Sequence, residues 1–204
     1  MYIPTSFKEE NPDLLFALIE EYSFGLVFSQ HQDKPEVTHL PFLFDRNKYD
    51  KGTLIAHFAK ANKHWRNLEE DKEVLCVFQG PHMYISPSWY KNRDTVPTWN
   101  YATVHVYGKP KVIHDLNELR KMVTALTNHH EAQVDSDWSL EEGKSSFESD
   151  LRAIVGLEIE ITRMEGKFKF NQNRSVEDQL GVIEHLDEQE ELGVKKIMER
   201  NLKK

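Results

Sequence analysis

The most informative stretch of the sequence is Phe78-Gln79-Gly80-Pro81-His82-Met83-Tyr84-Ile85-Ser86-Pro87-Ser88-Trp89-Tyr90, continued by Val96-Pro97-Thr98-Trp99-Asn100-Tyr101. It carries three prolines, two tryptophans and three tyrosines around an apparent strand end and restart. Because proline fixes φ and lacks a backbone donor, we expect Pro81, Pro87 and Pro97 where a strand ladder is interrupted. Rigid backbone lined with flat side chains suits a planar ligand or a tight subunit contact, and an aromatic-rich core corner is the alternative interpretation.

Working outward from this stretch, short strands are separated by a few helices. We expect a helix from Pro12 to about Tyr22 and further helices after Asp115 and Ser175, since each of these three starts has a capping residue. The expected strands cover 24–29, 37–44, 53–59, 73–78, 103–113 and 154–161. With no βαβ alternation, this order predicts a closed or half-closed antiparallel barrel, mainly β with flanking helices (α+β).

Composition limits the size and the partners of the chain. At 204 residues it suits one domain with an appendage, and we expect a domain over 1–175 with inserted helices and a helical appendage over 176–204. The net charge of −8 argues against a large nonspecific phosphate-binding surface, but leaves room for a small basic pocket. The lone Cys76 lies in an apolar strand pattern that predicts an inert core thiol.

The aromatic stretch also resembles the PaiB family, whose members are described as FMN-binding negative transcriptional regulators. The resemblance continues upstream and downstream, in order, from residue 1 to about 182. Its blocks are Met1-Tyr2-Ile3-Pro4, His57-Phe58-Ala59-Lys60-Ala61-Asn62-Lys63-His64-Trp65, Ile154-Val155-Gly156-Leu157-Glu158-Ile159 and Glu165-Gly166-Lys167-Phe168-Lys169-Phe170-Asn171-Gln172-Asn173-Arg174. One departure is Asn171, where the family usually has serine.

The resemblance implies an FMN-binding split β-barrel in which a dimer interface builds the flavin site. The cofactor-binding residues carried over by it are Thr38, His39, His57, Ala59, Lys60, Asn62, Trp99 and Asn100. The residues themselves offer a cation and an amide at a strand-to-helix change, Lys60 and Asn62, where a phosphate could bind. Two simpler interpretations stay open: Asn62 only caps a helix, and His57 is a satisfied barrel histidine. The arginine-rich phosphate signature of the pyridoxamine-phosphate oxidase relatives is missing.

Other chemistries have little support in the sequence. The motif HExxH and any cysteine pair are absent, and the neighbours His129 and His130 diverge by about 100° on a helix, so we expect no metal site. No Gly-x-Ser-x-Gly elbow is present, and we name no catalytic residue. Without a signal peptide or a long apolar run, we expect a cytoplasmic protein with no membrane contact.

The function implied by the resemblance is negative transcriptional regulation of sporulation and degradative-enzyme (protease) synthesis, through FMN. A flavin-dependent oxidoreductase with an indirect regulatory effect is the alternative, so enzymatic activity stays open. A third interpretation is a repressor that binds DNA directly through a patch of Lys167, Lys169, Arg174 and the basic tail. We also expect a homodimer joined over 86–101, and a functional or dimeric role for Gly166 to Arg174.

Overall fold

The computed structural model describes residues 1–70, 72–134, 137–140, 144–186 and 192–203. The strands are β1 (Lys8–Glu9), β2 (Phe24–His31), β3 (Lys34–Pro41), β4 (Leu43–Asp45), β5 (Thr53–Ala59), β6 (Val74–Ile85), β7 (Thr98–Ile113) and β8 (Ile154–Lys169). The helices are α1 (Pro12–Glu21), α2 (His64–Asn67), α3 (Leu116–Glu131), α4 (Lys144–Leu151), α5 (Val176–Glu184) and α6 (Leu192–Leu202).

The strands form an eight-stranded antiparallel sheet in the order β3-β2-β6-β7-β8-β5-β4, with β1 added to β8. This path is not closed. Seven residue pairs join β5 to β8, from Thr53 opposite Glu160 to Ala59 opposite Ile154. Eight pairs join β2 to β3, from Phe24 opposite Pro41 to His31 opposite Lys34. The expected fold class, mainly β with flanking helices, is confirmed.

The chain forms two compact units. The first comprises Met1–Leu18, Gln79–Val104 and the residues from Glu165 onward, and the second comprises Ile19–Phe78 and His105–Met164. The strands β6, β7 and β8 each continue from one unit into the other. The division of the chain at residue 175 stays a prediction.

The three expected helix starts are confirmed, and each has a side chain that accepts from the first turn. Asn11 accepts from the backbone N–H of Asp13 at 3.0 Å before α1. Asp115 accepts from two N–H groups of α3, both at 3.0 Å. Ser175 accepts from the N–H of Asp178 at 3.2 Å in α5. These caps satisfy donors that the helix itself leaves unpaired. Residues 187–191, within the expected helical appendage, lie outside the described residues.

Two strands differ in extent from the sequence expectation. The strand expected over 37–44 is two strands, because the chain up to Pro41 pairs with β2 whereas Leu43–Asp45 pairs with β5. Pro81 was expected where a strand ladder is interrupted: β6 runs through Pro81, but its recorded pairing with β2, over Leu75–Val77, ends before it. A strand paired on one side only tolerates proline. Pro87 and Pro97 do lie outside the strands.

The core of the second unit consists of side chains that alternate along β5 and β8. Leu54, Ala56, Phe58, Leu157 and Ile159 are all at most 1% exposed. The helix α3 covers Gly156, where an added Cβ would lie 2.9 Å from Leu119. Cys76 is fully buried, and burial raises the pKa of its thiol, which confirms the inert core thiol. No helix in the described part of the chain has the length and apolar character needed to span a membrane.

Gly108 of β7 lies so close to β8 that a larger residue at this position should destabilise the second unit. A Cβ at this position would lie 2.5 Å from the backbone oxygen of Glu160 and 2.5 Å from Ile159 Cγ2. Because a paired backbone cannot move aside as a flexible side chain can, Gly108→Ala should lower the free energy of unfolding by about 1–3 kcal/mol. Denaturant unfolding measures this difference. The neighbouring exposed residue serves as the control, since Lys109→Ala should change stability by less than about 0.5 kcal/mol; equal effects of the two would contradict the close approach.

Candidate functional site

His64, at the start of α2, binds two hydroxyl groups in the second unit. The side chain is fully buried. Its Nε2 lies 2.8 Å from Ser29 Oγ on β2, and its Nδ1 lies 2.9 Å from Thr38 Oγ1 on β3. Burial lowers the pKa of His64, and Glu36 opposes this only in part. The ring is therefore neutral at pH 7, with one nitrogen donating and the other accepting.

Asn62 connects the same hydroxyl to the turn that follows β5. Its Nδ2 donates to Thr38 Oγ1 at 3.2 Å, and its Oδ1 accepts from the N–H of His64 at 3.0 Å. The amide thus fixes the turn and begins α2, as the capping interpretation expected. Thr38, Asn62 and His64 form one hydrogen-bonded network, so Thr38 and Asn62 have a positioning role whether or not they touch a ligand.

Thr38 and His39 lie on opposite faces of β3, because side chains alternate along a strand. Thr38 faces His64, whereas His39 is exposed and its ring stacks on Phe24, with 6.1 Å between ring centroids and 25° between planes. Phe24 is 66% exposed. The two rings form a flat outer surface. Phe24 was not predicted as a site residue from the sequence. Its nearness to His39 follows from the pairing of β2 with β3, which places Phe24 opposite Pro41 and Leu26 opposite His39.

His57 and Ala59 lie in β5, the strand that leads into the turn. His57 is opposite Gly156 of β8, so it shares the face that α3 covers. Burial lowers the pKa of His57, and its buried Nδ1 has no hydrogen-bond partner among the described residues. Such an unpartnered polar atom is unusual in a native protein. Ala59 ends the strand and is exposed.

The turn after β5 presents two lysines on a fixed backbone. The N–H of Lys60 donates to the Ala153 carbonyl at 2.7 Å, and the Lys60 carbonyl accepts from Trp65 Nε1 at 3.2 Å. The side chains of Lys60 and Lys63 are both exposed. Within the part of the chain that the structure describes, neither ammonium group has a recorded hydrogen bond or ion pair. The turn therefore offers two uncompensated positive charges.

Trp99 and Asn100 belong to β7 in the first unit. Trp99 is 53% exposed and lies edge-on to Tyr84, with 6.1 Å between centroids. Asn100 is fully buried; its Nδ2 lies 3.5 Å from Met198 Sδ, and its Oδ1 has no partner among the residues described. As neighbours on a strand, the two side chains point to opposite faces. A single planar ligand would therefore meet them from different sides of the strand.

The segment Gly166 to Arg174 is held by many contacts, so the expectation that it is no free loop is confirmed. Phe168 and Phe170 are at most 4% exposed, and Lys167 is 9% exposed. Lys169 donates to the carbonyl of Trp99 at 2.7 Å. Its part in function or in a dimer stays a prediction. No group of metal-ligating side chains was found among the residues that the structure describes.

Two features of the second unit are each suited to one part of a flavin mononucleotide. A phosphate dianion needs cationic or N–H donors, and the free ammonium groups of Lys60 and Lys63 are such donors. A planar ring needs an apolar surface, and the exposed Phe24–His39 pair is one. The buried, unpartnered Nδ1 of His57 is a third polar atom that a ligand or a water could satisfy.

The neutral state of His64 predicts a pH dependence of stability. Because the pKa of His64 is lowered from 6.5 on folding, the unfolded chain binds more protons, and stability must fall as the pH drops below about 6.5. His57 and His130 act in the same direction, since burial lowers their pKa values also. Thermal unfolding between pH 8 and 5 should show this fall, with a shallower slope for His64→Gln. An unchanged slope for His64→Gln would contradict the assignment.

Comparisons with known proteins place this geometry in a family. The family model described as "Putative FMN-binding domain" matches residues 1–163. The protein named protease synthase and sporulation protein PAI 2, from Bacillus subtilis, is 40% identical over 209 residues, covering 100% of this chain and 99% of the relative.

Solved structures support the fold. A flavocytochrome of Azotobacter vinelandii is similar with a TM-score of 0.58 at 12% identity, covering 80% of this chain and 69% of that one. An FAD and heme binding protein of Mycobacterium smegmatis has a TM-score of 0.58 at 15% identity, covering 79% and 73%. At this identity the likeness shows the split-barrel fold alone. The family model and the full-length relative go further: the chain belongs to the PaiB family, whose domain is described as FMN-binding, and FMN is its expected cofactor.

Proposed function

We propose that this protein is a cytoplasmic, FMN-binding negative regulator of sporulation and protease synthesis. One observation carries the proposal: the likeness to the Bacillus protein named for protease synthesis and sporulation covers both chains almost completely. The turn after β5 supports the flavin part, because it holds two lysines with no anionic partner among the residues described. The family description agrees with this.

In this proposal the residues of the turn bind the phosphate. Lys60 and Lys63 supply charge, while Asn62, Thr38 and His64 hold the backbone from which the lysines project. Preorganised donors bind an anion better than mobile ones because less conformational entropy is lost on binding. His39, with Phe24, provides a flat surface for a ring. His57, Ala59, Trp99 and Asn100 stay predicted cofactor-binding residues. Bound FMN would supply redox chemistry, and the protein would bind and orient it.

Binding of a small molecule explains the regulation of sporulation and protease synthesis better than direct binding of the protein to operator DNA. The net charge of −8 opposes the approach of a DNA backbone. The sequence offers no recognisable helix-turn-helix with a basic recognition face. A regulator of this kind would change the synthesis of other proteins according to its flavin state. Binding to DNA stays a weaker proposal, and a steep salt dependence of operator binding would support it.

The flavin site is tested by Lys60→Ala. Loss of a charge-assisted contact to the phosphate should weaken FMN binding by about 1.5–3 kcal/mol. Fluorescence titration with FMN measures this change. Riboflavin, which lacks the phosphate, should bind the variant and the wild type equally, and Lys121→Ala, at an exposed position of α3, should bind FMN as the wild type does.

An unchanged FMN affinity of Lys60→Ala would place the phosphate elsewhere. Flavin of the purified protein that is bleached by NADPH, with catalytic turnover, would favour the alternative of a flavin-dependent oxidoreductase. Wild-type protein with no flavin bands and no affinity for FMN would contradict the proposal as a whole.

The proposed homodimer is tested at Trp99. A half-exposed tryptophan edge-on to Tyr84, which is 46% exposed, is an aromatic surface of the kind that dominates subunit contacts. Sedimentation should show a dimer at micromolar concentration, and Trp99→Ala should weaken it by about 2 kcal/mol or more. The control is Val176→Ala, a truncation at another exposed apolar position in the first unit. A wild-type monomer at that concentration would rule out the dimer.

A further inference from the structure

Three cations come close together at the end of β8 in the first unit. Lys167 and Lys169 are two residues apart on the strand, so their side chains share a face. Beyond them Asn171 has φ 63°, in the left-handed region, and its carbonyl accepts from the N–H of Arg174 at 2.8 Å. The turn brings Arg174 back toward the strand. Asn171 Nδ2, which donates to the Tyr90 hydroxyl at 3.1 Å, holds the turn in place.

Each cation is oriented by neutral groups. Lys169 Nζ donates to Thr98 Oγ1 and to the Trp99 carbonyl. Arg174 Nη2 donates to Thr95 Oγ1 at 2.7 Å. The Lys167 ammonium lies over aromatic rings, 5.2 Å from the centroid of Tyr101 and 5.5 Å from that of Tyr2. An ammonium has three donors and a guanidinium five, so most of these donors remain available.

Three carboxylates of the first unit are paired with other cations, and a fourth, that of Asp178, is 9% exposed and accepts from the backbone N–H of Lys91 at 3.1 Å. Glu165 Oε2 lies 2.6 Å from the N-terminal ammonium, and Glu10 Oε1 lies 2.5 Å from Lys8 Nζ. Glu177 pairs with Lys91 Nζ at 2.8 Å. In the described ranges, no ion pair is recorded for Lys167, Lys169 or Arg174. The cluster therefore carries three positive charges without a partner of opposite sign.

Such an arrangement is costly in the free protein. Lys167 is 9% exposed, and a buried charge without a counter-charge disfavours the folded state. Burial lowers the pKa of Lys169, and the nearby charges of Lys167 and Arg174 lower it further. A group of side chains that breaks the rule of charge compensation indicates a functional site. The three cations, with the hydroxyls of Thr95 and Thr98 beside two of them, supply the hydrogen-bond donors that a compact oxyanion requires.

We propose that Lys167, Lys169 and Arg174 form a binding site for a phosphate group, carried by a small phosphomonoester or present as free phosphate. The half-exposed ring of Trp99, whose carbonyl accepts from Lys169, is available to the organic part of such a ligand. This site uses a different set of residues from the turn at Lys60 and does not depend on the flavin proposal. The low exposure of Lys167 favours a compact anion over a nucleic-acid backbone.

Inorganic phosphate in a chloride buffer is the probe, and calorimetric titration and thermal unfolding are the measurements. Lys167→Met and Arg174→Gln should each weaken phosphate binding by about tenfold or more. Lys196→Met, which removes an exposed lysine of α6, is the matched control and should bind as the wild type does. Without phosphate, Lys167→Met should be at least as stable as the wild type, because the repulsion is relieved; with phosphate, only the wild type and the control should gain stability.

Two further titrations test whether the phosphate site is separate from the one that binds the FMN phosphate. Protein saturated with FMN should bind phosphate with unchanged affinity, and so should Lys60→Ala. Loss of phosphate binding in the FMN-saturated protein would identify the cluster as the flavin's own phosphate site and overturn the proposal. Equal binding by all variants, no binding by the wild type, or displacement of phosphate by a short DNA duplex would overturn it also. Failure of FMN to bind, with phosphate binding retained, would reject the flavin function alone.

Discussion

The pairing of β5 with β8 is the constraint on which the candidate flavin site depends. Seven residue pairs, from Thr53 opposite Glu160 to Ala59 opposite Ile154, fix the register, and the N–H of Lys60 extends the pairing to the Ala153 carbonyl. A slip of one residue would move His57 from the face covered by α3 to the face of Phe58. Since Leu54, Ala56 and Phe58 are buried on that face, such a slip would place a histidine in this apolar core and move Phe58 to the face that α3 covers.

In the turn beyond β5, the neutral side chain of His64 helps to hold the backbone that carries the charged side chains of Lys60 and Lys63. His64 is buried between the hydroxyls of Ser29 and Thr38, where a protonated ring would have no counter-charge in direct contact. Together with Asn62 it fixes the backbone, so Lys60 and Lys63 project from a rigid turn into solvent. The cost of uncompensated charge stays small there, because water solvates both ammonium groups.

The cations of the first unit are in a different environment. Lys167 is almost fully buried, and among the described residues its recorded contacts are with the faces of Tyr2 and Tyr101. An aromatic face attracts a cation, but by less than a carboxylate would at the same depth. Two kinds of basic site therefore exist in one chain, one solvated and one desolvated. An anion entering the second kind would gain more per contact, because its surroundings have a lower dielectric constant.

The sequence alone predicted the family, most of the strands and the helix starts at Asn11, Asp115 and Ser175, because periodicity and capping are local properties of the chain. It also identified Lys60 and Asn62 as neighbours in one turn. The three-dimensional structure was needed to show that Thr38 faces His64 while His39 stacks on Phe24, since strand register joins residues distant in sequence. Likewise, the sequence shows that Lys167 and Lys169 lie on the same face of a strand, but it does not show that they lack a counter-charge. Charge compensation depends on which carboxylates the fold brings near and which cations, such as Lys8 and Lys91, have already engaged them.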